Sequence, residues 1–333
     1  MKLPLTDEQI MIRDMVREFA RGEIEPHAQD YNLRGEYPKE IIAKLGQLGL
    51  FGMMVPEQYG GSAAGAVSYS LALQEIAFSC ASVAVTLSVT NLCTDPILNF
   101  GTDEQKKEFL APMASGEHVG AFALTEPEAG SDPSSLKTSA VKKGKNYILN
   151  GTKMFITNGA HAGVFILIAR TSAEKNGTTA FLIPAGTKGL RIGKEEHKMG
   201  LLASNTVELI LEDCEVPERN MLGKPGMGLK TALGALDSGR IGIASQATGM
   251  IAAALHEASE YAQVRKQFGR PLIRHQSIQN MIADISVDSE SARLLVWSAA
   301  SMKDRKLPFS REASIAKLFA TEALNRAAYR ALQ

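Results

Sequence analysis

Apolar side chains recur at helical spacing toward both ends of this chain and at strand spacing through its middle. Near the start, Ile12, Met15, Val16 and Phe19 fall on one face of a helix, and Thr6 followed by Gln9 predicts a capping box ahead of them. Helical pattern continues to about residue 120, interrupted by Gly60-Gly61, a glycine pair that marks a loop, and resuming from Ser68 to about Asn99. The period then changes. Tyr147-Ile148-Leu149, Asn150-Gly151 and Met154-Phe155-Ile156 predict a hairpin closed by a type I′ turn. Three short apolar strands follow, at Val164-Phe165-Ile166-Leu167-Ile168, Ala180-Phe181-Leu182-Ile183 and Val207-Glu208-Leu209-Ile210-Leu211. No helical pattern separates these strands, so they predict an antiparallel sheet. From Gly228 the helical period returns, with Ile278, Met281, Ile282, Ile285, Ala292, Leu295, Val296 and Ala299 in one long stripe. Leu307-Pro308 ends that stripe, and a last helix runs from about Arg311. The expected fold is α+β and multidomain: an N-terminal helical domain (1–118), a middle antiparallel β domain (119–222) and a C-terminal helical bundle (223–333).

Composition narrows the function. The 333 residues, 45% of them hydrophobic, suffice for a sizeable core. Lysine plus arginine (36) balance aspartate plus glutamate (36), which argues against a nucleic-acid binder. Cys80, Cys93 and Cys214 are scattered and show no metal-ligand spacing, which suits a reducing compartment. No signal peptide or apolar run of bilayer length stands out, so the expected place is the cytoplasm.

Two segments carry chemistry. In Leu124-Thr125-Glu126-Pro127-Glu128-Ala129-Gly130-Ser131-Asp132, the proline restricts itself and its predecessor, Gly130 lets the backbone approach a ligand, and Ser131 offers a hydroxyl beside exposed N–H groups. Taken alone this is also an ordinary turn between strands. In Asn150-Gly151-Thr152-Lys153-Met154-Phe155-Ile156-Thr157-Asn158-Gly159, strand alternation puts Phe155 and Thr157 on one face, an aromatic beside a hydroxyl.

With Ala235-Leu236-Asp237-Ser238-Gly239-Arg240 and Arg265-Lys266-Gln267-Phe268-Gly269 added, four motifs stand in register, and the chain resembles the acyl-CoA dehydrogenases, most of all their short-chain (butyryl-CoA) members. The resemblance runs from Leu5 to Gln333 and implies FAD as cofactor, an acyl-CoA thioester as substrate, an electron-transferring flavoprotein as acceptor and a homotetramer. It assigns Phe122, Leu124, Thr125, Gly130 and Ser131 to the flavin wall, with Ser131 also meeting the acyl-CoA. Phe155 packs on the ring, where many relatives carry tryptophan, with Ile156 beside it and Thr157 near the reactive N5 edge. It gives Arg265, Gln267, Phe268 and Gln276 the diphosphate and adenosine of a neighbouring subunit's FAD, and matches Gln333 to another cofactor contact. Asp237, Ser238, Gly239 and Arg240 match a substrate-binding stretch at the start of a helix.

The reaction so implied removes an α proton to a carboxylate while the β hydrogen leaves as hydride. Most of the family carries that glutamate in a segment beyond the position of Gln333, and some members carry it where this chain has Gly239. No catalytic residue is therefore assigned, the C-terminal domain is expected to be incomplete, and a catalytically silent flavin- and acyl-CoA-binding subunit is the alternative. Flavin monooxygenases and acyl-CoA oxidases share the expected architecture. A dinucleotide-binding reading of Gly226-Met227-Gly228 fails, because Thr231 occupies the third glycine position and no parallel βαβ pattern surrounds it.

Overall fold

In the computed structural model, residues 3–174 and 177–333 are described. Helices α1 (Asp7–Phe19), α2 (Glu25–Arg34), α3 (Lys39–Gln47), α4 (Gly65–Ser79) and α5 (Ala81–Phe100) open the chain, and two short pieces, α6 (Asp103–Gln105) and α7 (Ala111–Ala114), lead to the strands. The strands are β1 (Val119–Ala123), β2 (Ser139–Lys143), β3 (Asn146–Thr157), β4 (Ala162–Arg170), β5 (Thr178–Pro184), β6 (Leu190–Glu195), β7 (Thr206–Pro217) and β8 (Met221–Leu222). Helix α8 (Gly228–Val264), a tiny hairpin of β9 (Lys266–Gln267) and β10 (Arg270–Pro271), and helices α9 (Gln276–Asp304) and α10 (Ser310–Leu332) complete it.

Two compact units form, and neither is one continuous piece of chain. The first comprises Met1–Gln29, Ala64–Val85 and Arg240–Gln333, and is helical. Its opening helix is capped as the spacing predicts: the Gln9 amide donates to Thr6 Oγ1 at 3.2 Å and the Thr6 amide to Gln9 Oε1 at 3.1 Å. The buried face is shifted from the predicted stripe, however. Val16, Ala20 and Ile24, spaced four apart, are fully buried, whereas Met15 is exposed, and a π-helical turn follows at Ala20–Ile24. Helices α9 and α10 pack along a seam of Ala292, Ala299, Ala313, Ala316, Ala320 and Ala323, whose small side chains let the two backbones approach closely. The N-terminus of α4 is capped from far along the chain: the Ala66 and Val67 amides donate to the two carboxylate oxygens of Asp304 at 2.6 and 3.0 Å.

The second unit, Asp30–Ala63 and Thr86–Gly239, holds an eight-stranded sheet in the order β6-β7-β3-β2-β4-β5-β8, with β1 beside β4. The sheet is antiparallel apart from β1, which runs parallel to β4 with Phe122 opposite Ile166, and a single parallel bridge between β2 and β4. Parallel neighbours need a long connection, and the β2–β3 hairpin supplies it where no helix does. One apolar cluster behind the sheet includes Phe165, Phe181, Leu209 and Val216; the other includes Ile97, Phe109, Ile166 and Leu182.

The Asn150-Gly151 pair is not a turn. Strand β3 passes straight through it, and the hairpin closes earlier at Gly144-Lys145, between the paired Lys143 and Asn146. Asn150 instead clamps a bulge in β7: its Oδ1 accepts from the Asp213 amide at 2.8 Å and its Nδ2 donates to Asp213 Oδ1 at 3.1 Å, while Asp213 adopts a left-handed φ of 49°. Gly151 has φ 148°, and a Cβ there would lie 2.6 Å from Thr138 Oγ1, so glycine is required by the neighbouring strand. Helix α5, 20 residues long, is apolar enough to cross a bilayer by length and composition, contrary to the sequence reading. Two-thirds of its apolar window (67%) is buried within the protein, as in a core helix.

Candidate active site

In the sheet-bearing unit, the Thr125 segment and the end of β3 are stitched together. The Met154 amide donates to the Thr125 carbonyl at 2.8 Å. Glu126 and Ala129 exchange two backbone hydrogen bonds of 3.1 Å, so residues 126–129 form a tight turn with Pro127 at its tip. Ser131 follows in an exposed position, and Asp132 accepts from the Ser134 amide at 3.1 Å. Gly130 has an ordinary φ, and a Cβ there would meet only Thr125 Cγ2 at 4.0 Å, so the protein's own packing does not require a glycine at that position.

Strand β3 ends in a bulge. Lys153 pairs with Leu209 and Ile156 with Val207, which leaves Met154 and Phe155 looped out of register. Phe155 takes a left-handed φ of 59° and exposes 58% of its surface. A non-glycine residue adopts that backbone at a cost of about 1–2 kcal/mol. Phe155 and Thr157 stay out of the sheet core on either side of the buried Ile156, as strand alternation predicts, and the bulge adds the extra residue before them. Ile156 is the opposite case: its side chain is 1% exposed and packs in the apolar cluster, so only its backbone can touch a ligand. Phe122 and Leu124 flank the strip, half-buried and buried, against the second cluster. Asn158 is fully buried at φ 66°, and its Nδ2 donates to the carbonyls of Thr86 and Gly120, both at 3.1 Å, so the chain leaves β3 in a fixed direction.

Beneath the strip lies a pair that the sequence did not reveal. Lys153 is fully buried, and its ammonium donates to Glu126 Oε1 at 2.8 Å and to the Leu124 carbonyl at 3.0 Å. Glu126 accepts further bonds from the Lys137 and Thr138 amides at 2.6 and 3.0 Å. Burial lowers the Lys153 amine to about 8, against the pull of Glu126, which leaves it charged at neutral pH. Burial acts to raise the Glu126 carboxyl, but the Lys153 charge and the Lys137 amide outweigh it and hold the group below its ordinary value.

The predicted substrate stretch, residues 235–240, begins about two turns inside α8 and not at its start. Asp237 is half-buried. Ser238 is buried, and its hydroxyl donates to Asp95 Oδ2 at 2.7 Å, so it is committed to a protein partner. A Cβ on Gly239 would come within 3.0 Å of Leu92 Cδ1.

In the helical unit, Arg240 is half-buried in α8. Arg265 sits just past that helix, and its carbonyl accepts from the Leu272 amide at 2.8 Å. Gln267 pairs with Arg270, and between them Phe268 (φ 51°) and Gly269 (φ 77°) form a two-residue turn with both φ values positive, the type I′ geometry. Phe268 is 92% exposed. The Gln267 carbonyl lies 3.2 Å from His275 Nε2, next to the exposed Gln276 at the head of α9. Gln333 lines a cavity of about 290 Å³ together with Tyr261, Leu272, Met281 and Ile285.

The sheet strip fits the edge and face of a flat aromatic cofactor: an exposed phenyl ring on a strained bulge, a hydroxyl two residues on, and a second hydroxyl at Thr125 tied across by the Met154–Thr125 bond. Comparison with known proteins gives that fit a family. Residues 6–117 match the N-terminal domain of acyl-CoA dehydrogenases, residues 121–214 the middle domain and residues 226–333 the C-terminal domain. The chain is 45% identical over 335 residues to the short-chain specific acyl-CoA dehydrogenase, mitochondrial, of Rattus norvegicus, covering all of itself (100%) and 81% of that protein. It superposes with a TM-score of 0.98 on the butyryl-CoA dehydrogenase of Megasphaera elsdenii, at 44% identity, covering 100% of this chain and 89% of that one. It matches equally well, at a TM-score of 0.98 and 44% identity over 100% of this chain and 88% of the other, a chain from a study of the electron transferring flavoprotein of Acidaminococcus fermentans and flavin-based electron bifurcation.

The architecture is that of a flavoprotein oxidoreductase with helical domains on either side of a β domain in the sequence. The chain belongs to the acyl-CoA dehydrogenase family. It is an FAD-dependent enzyme of acyl-CoA dehydrogenation.

Proposed function

We propose that this enzyme removes the α and β hydrogens of a short-chain acyl-CoA thioester and hands the electrons to an electron-transferring flavoprotein. The observation that carries this reading is the strip on β3 and the Thr125 segment: Phe155 exposed at φ 59° on a bulge, with Thr157 and Thr125 alongside. The short-chain preference is supported by the rat and Megasphaera relatives, which carry short-chain and butyryl-CoA names. The acceptor is supported by the likeness to a chain from the Acidaminococcus work.

In this reading Phe155 covers one face of the ring, Thr125 donates to its pyrimidine edge, and Thr157 lies by its reactive edge. Bound FAD supplies hydride acceptance. Fixed donors aimed where negative charge develops lower the barrier without reorganising solvent. Phe122, Leu124 and the Ile156 backbone complete the wall, with Gly130 and Ser131 at its rim. Asp237, Gly239 and Arg240 meet the acyl-CoA. Arg265, Gln267, Phe268, Gln276 and Gln333 serve the FAD of a neighbouring subunit, and by resemblance the working form is a homotetramer. An arginine suits a diphosphate because its planar fork binds oxygens in pairs. By resemblance the compartment is the cytoplasm, or the mitochondrial matrix in a eukaryote.

The test is direct. The purified protein is reconstituted with FAD, its visible spectrum is recorded, and butyryl-CoA is added without oxygen. A yellow protein that bleaches supports the reading. A yellow protein whose band only shifts is a binding subunit, and a protein that takes up no FAD overturns the proposal.

A further inference from the structure

The charge pair beneath the strip has no part in the reaction just described, yet its contacts converge on one cofactor-facing residue. We propose that Lys153 is a positioning residue for the flavin wall, fixing Thr125 through Leu124 and Glu126; this rests on the flavin reading of Thr125 given above.

The geometry is specific. A lysine on a strand ordinarily extends to water, but Lys153 is fully buried, and its ammonium donates to the Leu124 carbonyl at 3.0 Å and to Glu126 Oε1 at 2.8 Å. Those two residues flank Thr125 on either side. The carbonyl of Thr125 itself accepts from Met154, the residue after Lys153, at 2.8 Å. Three consecutive residues of one segment are thus gripped by two consecutive residues of β3, the strand that carries Phe155 and Thr157 immediately beyond. Strand-type pairing alone would fix the Thr125 carbonyl. The ammonium adds a hold on each side of it and removes the freedom of the segment to rotate about that single bond.

Glu126 extends the hold. It accepts from the Lys137 and Thr138 amides at 2.6 and 3.0 Å, which closes the loop bearing Gly130 and Ser131 back onto the sheet. Buried ion pairs are often replaceable by apolar residues with no loss of stability, so packing alone does not call for charge at this position. Charge-assisted hydrogen bonds are directional and fix geometry, which is what a hydrogen-bonding cofactor wall requires.

The experiment compares wild type, Thr125→Ala, Glu126→Gln and the double variant Lys153→Met/Glu126→Gln, in which both charges are removed together. FAD affinity of the apo-protein is measured by flavin fluorescence, alongside the fine structure of the visible flavin band and the thermal midpoint of the apo-protein. The expected result is a loss of FAD affinity on the order of tenfold in the double variant, the equivalent of one hydrogen bond. Its visible band changes in the same sense as that of Thr125→Ala while its apo midpoint stays close to wild type; Glu126→Gln, which leaves the buried Lys153 ammonium without its counter-charge, shifts the band less and lowers the midpoint. Should Thr125→Ala alter affinity and band while the charge variants leave both unchanged, the positioning role is overturned and the flavin reading stands. If the double variant's midpoint falls but its flavin band does not move, the pair is structural only, and the role is likewise overturned. If Thr125→Ala itself changes nothing, or wild type takes up no FAD, the flavin reading has failed and this inference with it.

Discussion

Two phenylalanines in this protein sit exposed on left-handed backbone, and they are held there in opposite ways. Phe155, at φ 59°, interrupts a long strand, and its conformation is imposed from outside: by the β7 ladder on either side of the bulge, by the Met154–Thr125 bond and by the buried Lys153–Glu126 pair. Phe268, at φ 51°, tips a two-residue hairpin in which positive φ is what the turn geometry demands, and its surroundings are local, with His275 edge-on at 6.0 Å. The strain at Phe155 is stored by the fold. At Phe268 the only anomaly is the choice of a bulky aromatic where asparagine or glycine is preferred.

The contrast can be broken most forcefully at Lys153. Lys153→Met leaves Glu126 buried without its partner and should lower stability by about 3–5 kcal/mol, read as a shift in the urea midpoint; no single substitution around the Phe268 tip should cost as much. A second effect is in pH. Folding carries the Lys153 amine from 10.5 down to about 8, so across that window the unfolded chain holds a proton that the folded chain has released. The stability contributed by this group therefore rises with pH between about 8 and 10.5. Urea midpoints measured across that range should show this slope in wild type and lack it in Lys153→Met.

Smaller effects sharpen the comparison. Phe155→Gly should stabilise the apo-protein by up to about 1 kcal/mol, because glycine takes the left-handed backbone without steric cost, while FAD affinity falls; calorimetry and flavin titration read the two sides of that exchange. Phe268→Asn should stabilise by a few tenths of a kcal/mol at most, about the difference between poor and good turn chemistry, and leave the flavin absorption of an isolated subunit unaltered. Equal effects at the two sites would erase the distinction drawn here.

The sequence was most legible where partners are close along the chain. The Thr6–Gln9 capping box formed because both partners lie within one turn. The strands at Val164, Ala180 and Val207 were readable because they are apolar runs bounded by turn residues. Asn150-Gly151 misled because the dipeptide carries a local turn signal, but its fate was decided by Asp213, 63 residues away, which uses Asn150 to close a bulge. Lys153 was silent for the same reason: a lysine in a strand reads as surface until Glu126, 27 residues earlier, is placed against it. Ile156 and Ser238 were included by position within motifs, and their side chains turn inward to the sheet core and to Asp95. Motifs located the strip; the bulge and the buried charges that shape it depend on pairings no local window contains.

Asp304 lies 238 residues beyond Ala66, whose amide it accepts. During synthesis, α4 leaves the ribosome with bare amides at its head and waits for nearly the whole chain to follow before its final anchor arrives. Unlike α1, which caps itself, α4 is thus made early and capped late, and a chaperone that shelters it would have to hold it until α9 has emerged.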